Sequence, residues 1–111
     1  IPQQVQGMAF SYTGKVILPT SYGRKNNSEI YVFDDPLSAD RVGTYTVDST
    51  EIDLYACSSE ILTQKIIAPP MVEGATQTTD NIFIIFESGA AKYRNHGGKH
   101  PTDTAYYFNI E

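Results

Sequence analysis

Two stretches of the chain resemble each other at a constant spacing of 67 positions. Residues 5–7 (Val-Gln-Gly) match residues 72–74 (Val-Glu-Gly), and residues 16–18 (Val-Ile-Leu) match residues 83–85 (Phe-Ile-Ile). An apolar stretch at the same distance behind a glycine-containing stretch is typical of a repeated structural unit. We therefore expect the chain to be built from two related units.

A third pair of matching stretches sets the extent of each unit. Residues 31–33 (Tyr-Val-Phe) match residues 106–108 (Tyr-Tyr-Phe) at a spacing of 75, which is eight more than the first spacing. We place the eight extra residues between positions 89 and 104 of the second unit. The two units are then predicted at about residues 5–34 and 72–111.

Each unit is predicted to contain short β-strands joined by tight turns. The turns at residues 12–14 (Tyr-Thr-Gly) and 79–81 (Thr-Asp-Asn) end in residues that accept a positive φ, as hairpin turns require. Further strands are expected between the units, within residues 43–68, and Pro69 and Pro70 end the last of them. The strands predicted after the first turn are residues 15–21, 29–33, 43–47, 51–57, 62–68, 82–88 and 105–110.

The second strand of each unit, at residues 15–21 and 82–88, is apolar on both faces for most of its length. We expect both strands to be buried between two layers. No window shows a sustained apolar period of 3.6 residues with caps, and residues 38–41 are predicted to form one helical turn at most. The chain is therefore predicted to be a single all-β domain over residues 1–111.

Composition excludes several classes of protein. The chain has 8 Lys and Arg against 13 Asp and Glu in 111 residues, a net charge of -5, which argues against binding to nucleic acid. The longest apolar run is residues 82–86, too short for a membrane-spanning helix, so no membrane insertion is expected. The single cysteine, Cys57, cannot form an internal disulfide, and this excludes a small scaffold held by disulfide bonds.

Among all-β folds, the repeat favours antiparallel blades of a β-propeller over a sandwich or a barrel. A propeller blade has about four antiparallel strands, so the chain corresponds to about two blades. Two blades leave an apolar face open on each side, and repeat arrays usually need about three units for stability. We expect the partners to be the remaining blades of a parent protein or further copies of this chain.

Several longer stretches support this interpretation. The strings VQGMAF, LPTSYGR followed by EIYVFD, and IIAPPMVEG leading to FESGAAKYR resemble the C-terminal portion of a family of bacterial, secreted β-propeller proteins. The resemblance covers nearly the whole chain. It implies a propeller fold, an extracellular or periplasmic location and a native protein longer than 111 residues, and it implies no catalytic residues.

Gln6 and Glu73 are candidate metal ligands. Each directly precedes the matching glycine, Gly7 or Gly74, so we expect the two side chains at the same height on adjacent inner strands. Their oxygen atoms suit a hard cation, and calcium is therefore the candidate cofactor. In the alternative interpretation, both side chains bond to backbone groups near Pro69 and Pro70.

A second group of polar residues is predicted at equivalent strand ends. An Arg beside tyrosine rings offers paired hydrogen bonds and a stacking surface, which suits a carboxylate, a phosphate or a sugar. The alternative is that the arginines form structural ion pairs or bind loop carbonyls. The predicted ligand-binding residues are Ser21, Tyr22, Arg24, Glu87, Ser88 and Arg94.

Three further features have simpler interpretations. His96, His100 and Asp103 have the residue types of a zinc site, but they lie in a glycine-containing loop with no helix to place them on one face, which favours a solvated loop. Cys57 is interpreted as a small core residue. Ser88 lacks the G-x-S-x-G context of a hydrolase nucleophile.

The sequence leaves three functions open. The first is a binding scaffold for a small polar ligand, a glycan or another protein. The second is a calcium-assisted hydrolase, similar to propeller lactonases and esterases, with Glu73 as a metal ligand and the rest of its site outside this chain. The third is an interaction module that pairs with a partner through its edge strands.

Overall fold

The computed structural model describes residues 2–77, 81–87 and 105–110. These residues form antiparallel β-strands with two short 3-10 turns, so the all-β prediction is confirmed. The 3-10 turns are Pro36–Ser38 and Ser59–Ile61. The strands are β1 (Ala9–Phe10), β2 (Val16–Thr20), β3 (Ser28–Phe33), β4 (Gly43–Val47), β5 (Thr50–Leu54), β6 (Leu62–Ala68), β7 (Val72–Gln77), β8 (Ile82–Phe86) and β9 (Tyr106–Phe108).

The strands form three antiparallel sheets. The first sheet has the order β1-β2-β3-β6, and the second sheet has the order β7-β8-β9. Strands β4 and β5 form a separate hairpin inserted between β3 and β6. The strand predictions at 43–47 and 62–68 are confirmed to the residue, because turn residues or prolines bound each of those strands.

Other predicted boundaries differ from the structure. The strand expected at 51–57 ends at Leu54, and Cys57 lies beyond it, packed against the first sheet. The helical turn expected at 38–41 lies at Pro36–Ser38, because the side chain of Asp35 accepts a hydrogen bond from the Leu37 N–H at 2.9 Å. Thr79 and Asp80 of the second predicted turn lie outside the described residues.

The first predicted turn is confirmed at Gly14. Its φ is +87°, and its N–H donates to the carbonyl oxygen of Ser11 at 3.0 Å. A Cβ atom at this position would lie 2.8 Å from the carboxylate of Asp35. Glycine is therefore required at this position for two reasons: the backbone is left-handed, and the side chain of Asp35 leaves no room for a Cβ atom.

The main core lies between the first and second sheets. We call the face of the first sheet that carries Ile17 and Val32 its front face, and this face packs against the second sheet. The opposite face, the back face, carries Val16 and Phe33 and is partly covered by Cys57, Ile61 and Leu62. The buried residues of the main core are Ala9, Ile17, Ile30, Val32, Ala68, Val72, Ile82, Ile84, Phe86 and Ile110.

Burial on both faces holds for β2 but not for β8. All five residues of β2 are buried. In β8, Ile82 and Ile84 face the first sheet, whereas Ile85 is 55% exposed and Phe83 is half-buried. The expectation that the strand at 82–88 is buried on both faces was wrong. Cys57 and its neighbours cover part of the back face of the first sheet, whereas among the described residues no element covers the outer face of the second.

The pairing registers correct the sequence alignment of the two copies by one residue. Phe33 and Phe108 stand 75 positions apart, but their partners Val16 and Ile82 stand 66 apart rather than 67. Neighbouring residues of a strand point to opposite faces of the sheet. A shift of the alignment by one residue therefore exchanges the residues of β8 that correspond to the front-facing and back-facing residues of β2. The pair Ala9–Ile17 of the first sheet corresponds to the pair Thr76–Phe83 of the second. In the same way, the pair Val16–Phe33 corresponds to the pair Ile82–Phe108.

Candidate functional site

A phenol, a carboxylate and an ammonium group meet on the first sheet. Glu29 and Tyr31 are two residues apart on β3 and therefore share a face, and Lys65 of β6 lies directly opposite Tyr31. The Tyr31 hydroxyl donates to Glu29 Oε2 at 2.6 Å, and Lys65 Nζ lies 3.1 Å from Glu29 Oε1. Lys65 Nζ also lies 5.7 Å from the centroid of the Tyr31 ring. We call these three residues the Tyr31 cluster.

The cluster fixes the protonation states of Glu29 and Tyr31. The hydrogen bond from Tyr31, followed by that from Lys65, lowers the pKa of Glu29 below its ordinary value. The same hydrogen bond to Glu29, followed by partial burial, raises the pKa of Tyr31 above its usual range. At neutral pH the site therefore presents a charged carboxylate beside a protonated phenol.

Tyr31 also lines a groove on the back face of the first sheet. The groove has a volume of about 290 Å³. The rings of Tyr31 and Phe33 stack along it with centroids 6.5 Å apart and an interplanar angle of 19°. The other lining residues are Pro2, Cys57, Ser58, Ser59 and Leu62.

Tyr22, one of the predicted ligand-binding residues, contacts this site. Its hydroxyl group interacts with Tyr31 and adds to the rise in the pKa of Tyr31. Ser21 is half-buried, and its N–H donates to the carbonyl oxygen of Gln4 at 3.1 Å. Arg24 is exposed in the turn that follows β2.

The second half of the predicted ligand site is only partly described. The N–H of Glu87, directly after β8, donates to the carbonyl oxygen of Met71 at 2.9 Å. Ser88 and Arg94 lie outside the described residues, as do His96, His100 and Asp103. The convergence of both strand ends on one ligand therefore stays a prediction.

The predicted metal ligands lie beside a close approach of two backbones. A Cβ atom on Gly7 would lie 3.4 Å from the Cα atom of Gly74, so the segments that carry Gln6 and Glu73 are neighbours. Both side chains are exposed, and Gln6 Nε2 donates to the carbonyl oxygen of Gln4 at 3.3 Å. Within the described ranges, no three His, Cys, Asp or Glu side chains cluster closely enough to hold a metal ion. Calcium binding by Gln6 and Glu73 stays a prediction.

Cys57 is half-buried where two grooves of the back face meet. It packs against the cluster that contains Val16, Leu18 and Phe33. Burial raises the pKa of its thiol, which keeps the sulfur protonated and poorly nucleophilic at neutral pH.

The sequence analysis did not identify Glu29, Tyr31 and Lys65 as a site. The alternation of Glu29 and Tyr31 on one strand face was a usable local signal, since the strand itself was predicted. Lys65 gave no such signal because its position depends on the pairing of β3 with β6 across the inserted hairpin.

Comparison of the chain with protein-family models, curated proteins and solved structures finds no match. Across residues 2–77, 81–87 and 105–110, no helix has the length and apolar character needed to cross a membrane.

Proposed function

We propose that this chain is a binding scaffold for a small polar ligand or a glycan, which it holds in the groove beside the Tyr31 cluster. The observation that carries the proposal is the fixed Glu29–Tyr31–Lys65 contact next to a pair of stacked rings. Sites for small molecules commonly combine an apolar wall with a few oriented polar groups.

The chemistry of the groove suits a ligand rich in hydroxyl groups. Ser58 and Ser59 line the groove and can each donate or accept hydrogen bonds. The charged Glu29 and Lys65 lie beside the groove, where both contact Tyr31. The half-buried ring of Tyr31 offers a surface for the C–H face of a sugar, and the buried ring of Phe33 stacks against it. Because the net charge of the chain is -5, a neutral or zwitterionic ligand is preferred over a strongly anionic one.

The wider setting of the scaffold is proposed to be a β-propeller. The order β1-β2-β3-β6 is that of a four-stranded antiparallel blade, with a hairpin inserted before the outer strand, and β7-β8-β9 supplies the inner three strands of a second blade. The resemblance to secreted propeller proteins supports an extracellular or periplasmic location.

The proposal is tested by titrating the isotope-labelled chain with neutral mono- and disaccharides and following its amide NMR signals. We expect saturable shifts confined to β3, β6 and residues 57–59. The variants Tyr31→Phe and Lys65→Met each remove one polar group and should weaken binding by about tenfold.

Tyr45→Phe is the matched control, because Tyr45 is an exposed tyrosine on the separate hairpin. Its affinity should equal that of the wild type. Shifts that spread over the whole chain, or equal affinities for Tyr31→Phe and Tyr45→Phe, would show that the groove is not the binding site.

A further inference from the structure

Among residues 2–77, 81–87 and 105–110, none covers the outer face of the second sheet, and this face is apolar. Phe83 and Tyr107 pair across β8 and β9, and their rings lie 5.7 Å apart. Ile85 beside them is 55% exposed and Tyr107 is 67% exposed. A groove of about 190 Å³ runs along this face between Gly74 and Ile85. We call this surface the second front face.

A second uncovered apolar surface lies at the other end of the molecule, on the back face of the first sheet. Met8 is 56% exposed and Phe10 is 50% exposed, and both line a groove of about 330 Å³. Val16 and Leu37 form other parts of its wall, and Asp35 is its one charged residue among those described. Cys57, Ile61 and Leu62 cover the back face near Phe33 and leave this groove open.

The equivalent pairs show how these two surfaces are related. Ile17 pairs with Val32 on the front face of the first sheet, and the equivalent pair in the second sheet is Phe83 with Tyr107. The second front face is therefore the counterpart of a face that already packs against a sheet within the molecule.

The same relation holds for the other surface. Val16 and Phe33 lie on the back face of the first sheet, and their counterparts Ile82 and Phe108 lie on the face of the second sheet that contacts the first. The two sheets thus stack front to back in one direction. The part of the chain that the structure describes therefore has an exposed front face on the second sheet and a partly open back face on the first.

We infer that a second copy of this chain docks its second front face onto the open groove beside Phe10, in the same front-to-back order in which the two sheets of one chain already pack. A second copy fits because each chain supplies both halves of this contact, with Ile85 and Tyr107 on one side and Met8 and Phe10 on the other. Such a contact is heterologous, so it leads to a closed ring or to an open filament. The inference does not depend on ligand binding in the groove beside Tyr31.

The test is sedimentation velocity of the full 111-residue chain over a range of concentrations, with one charged residue placed on each surface. We expect the wild type to form oligomers in a concentration-dependent manner. Ile85→Glu and Phe10→Glu each bury a charge in the contact and should weaken association by about 100-fold. Both positions are exposed, so both variants should keep the wild-type circular dichroism spectrum.

An equimolar mixture of the two variants separates a head-to-tail contact from a symmetric one. The Phe10→Glu chain keeps an intact second front face, and the Ile85→Glu chain keeps an intact groove beside Phe10. One chain of each kind can therefore join through this contact, and the remaining two surfaces both carry a charge, so the mixture should form a dimer and nothing larger. Phe10→Glu chains that still associate with themselves would indicate a front-to-front contact and overturn the inference. A wild type that stays monomeric at all concentrations would also overturn it.

Ile52→Glu is the matched control. Ile52 is a similarly exposed isoleucine on the hairpin, outside both surfaces, and the variant should associate like the wild type. Loss of association in Ile52→Glu with retention in Ile85→Glu would place the contact on the hairpin instead. If Ile85→Glu is misfolded, Tyr107→Lys replaces it with the same expected result.

Discussion

Ser28 connects the two packed sheets through a single buried hydrogen bond. Its Oγ accepts from the N–H of Val72 at 3.0 Å, and both residues are fully buried. Ser28 lies at the start of β3 in the first sheet, and Val72 is the first residue of β7 in the second. The bond therefore fixes where the second sheet begins to pack on the first.

Ser28→Ala removes the acceptor and leaves the Val72 N–H buried without a partner. An unsatisfied buried backbone donor costs about 1–3 kcal/mol, whereas the lost hydroxyl volume is small. We expect Ser28→Ala to lower the free energy of unfolding by about 2 kcal/mol, which is a large share of the stability of a domain of this size.

Ser11→Ala is the matched control. Ser11 Oγ also accepts from a backbone N–H at 3.0 Å, that of Lys15, but this bond is only part-buried because Lys15 is half-buried. Its loss should cost less than about 1 kcal/mol. Urea unfolding followed by circular dichroism measures both values, with equal dependence on urea expected for all three proteins.

Amide hydrogen exchange at Val72 provides a second readout. In Ser28→Ala this amide should exchange faster relative to the amides of β2, because its protecting acceptor is gone. If Ser28→Ala costs no more than Ser11→Ala and the exchange of Val72 is unchanged, the reasoning that this bond joins the sheets is refuted.

Two further predictions concern titratable groups. The pKa of Glu29 is lowered mainly by its hydrogen bond with Tyr31, so its stabilising contribution is present above the ordinary value of 4.5 and is lost as the pH falls through the lowered pKa. In Glu29→Gln, the melting temperature should therefore fall less steeply below that pH than in the wild type. Equal slopes of melting temperature against pH in the two proteins would contradict this. Cys57 should react with iodoacetamide more slowly than a free thiol at mildly alkaline pH, because burial raises its pKa, and urea should remove the difference. Equal rates in the folded and unfolded protein would rule out this effect of burial.

The sequence by itself determined the features that depend on neighbours along the chain. Strands at 43–47 and 51–57 were predicted on the two sides of residues 48–50, and in the structure Asp48 and Ser49 adopt the positive φ values of 47° and 70° that join β4 and β5 into a hairpin. Gly14 was predicted at a turn because glycine accepts a positive φ. Local steric preferences are strong at these positions, and no distant contact is required to satisfy them.

Tertiary structure alone decided the features that depend on how the strands pair. Lys65 meets Glu29 only because β6 pairs with β3 across the inserted hairpin. The spacing of 66 rather than 67 between the second strands follows from hydrogen-bond register, and it sets whether Phe83 faces the core or the solvent. An unbroken apolar run such as residues 82–86 can bury either face, because a shift by one residue exchanges the two faces, and only the packed neighbours select one of them.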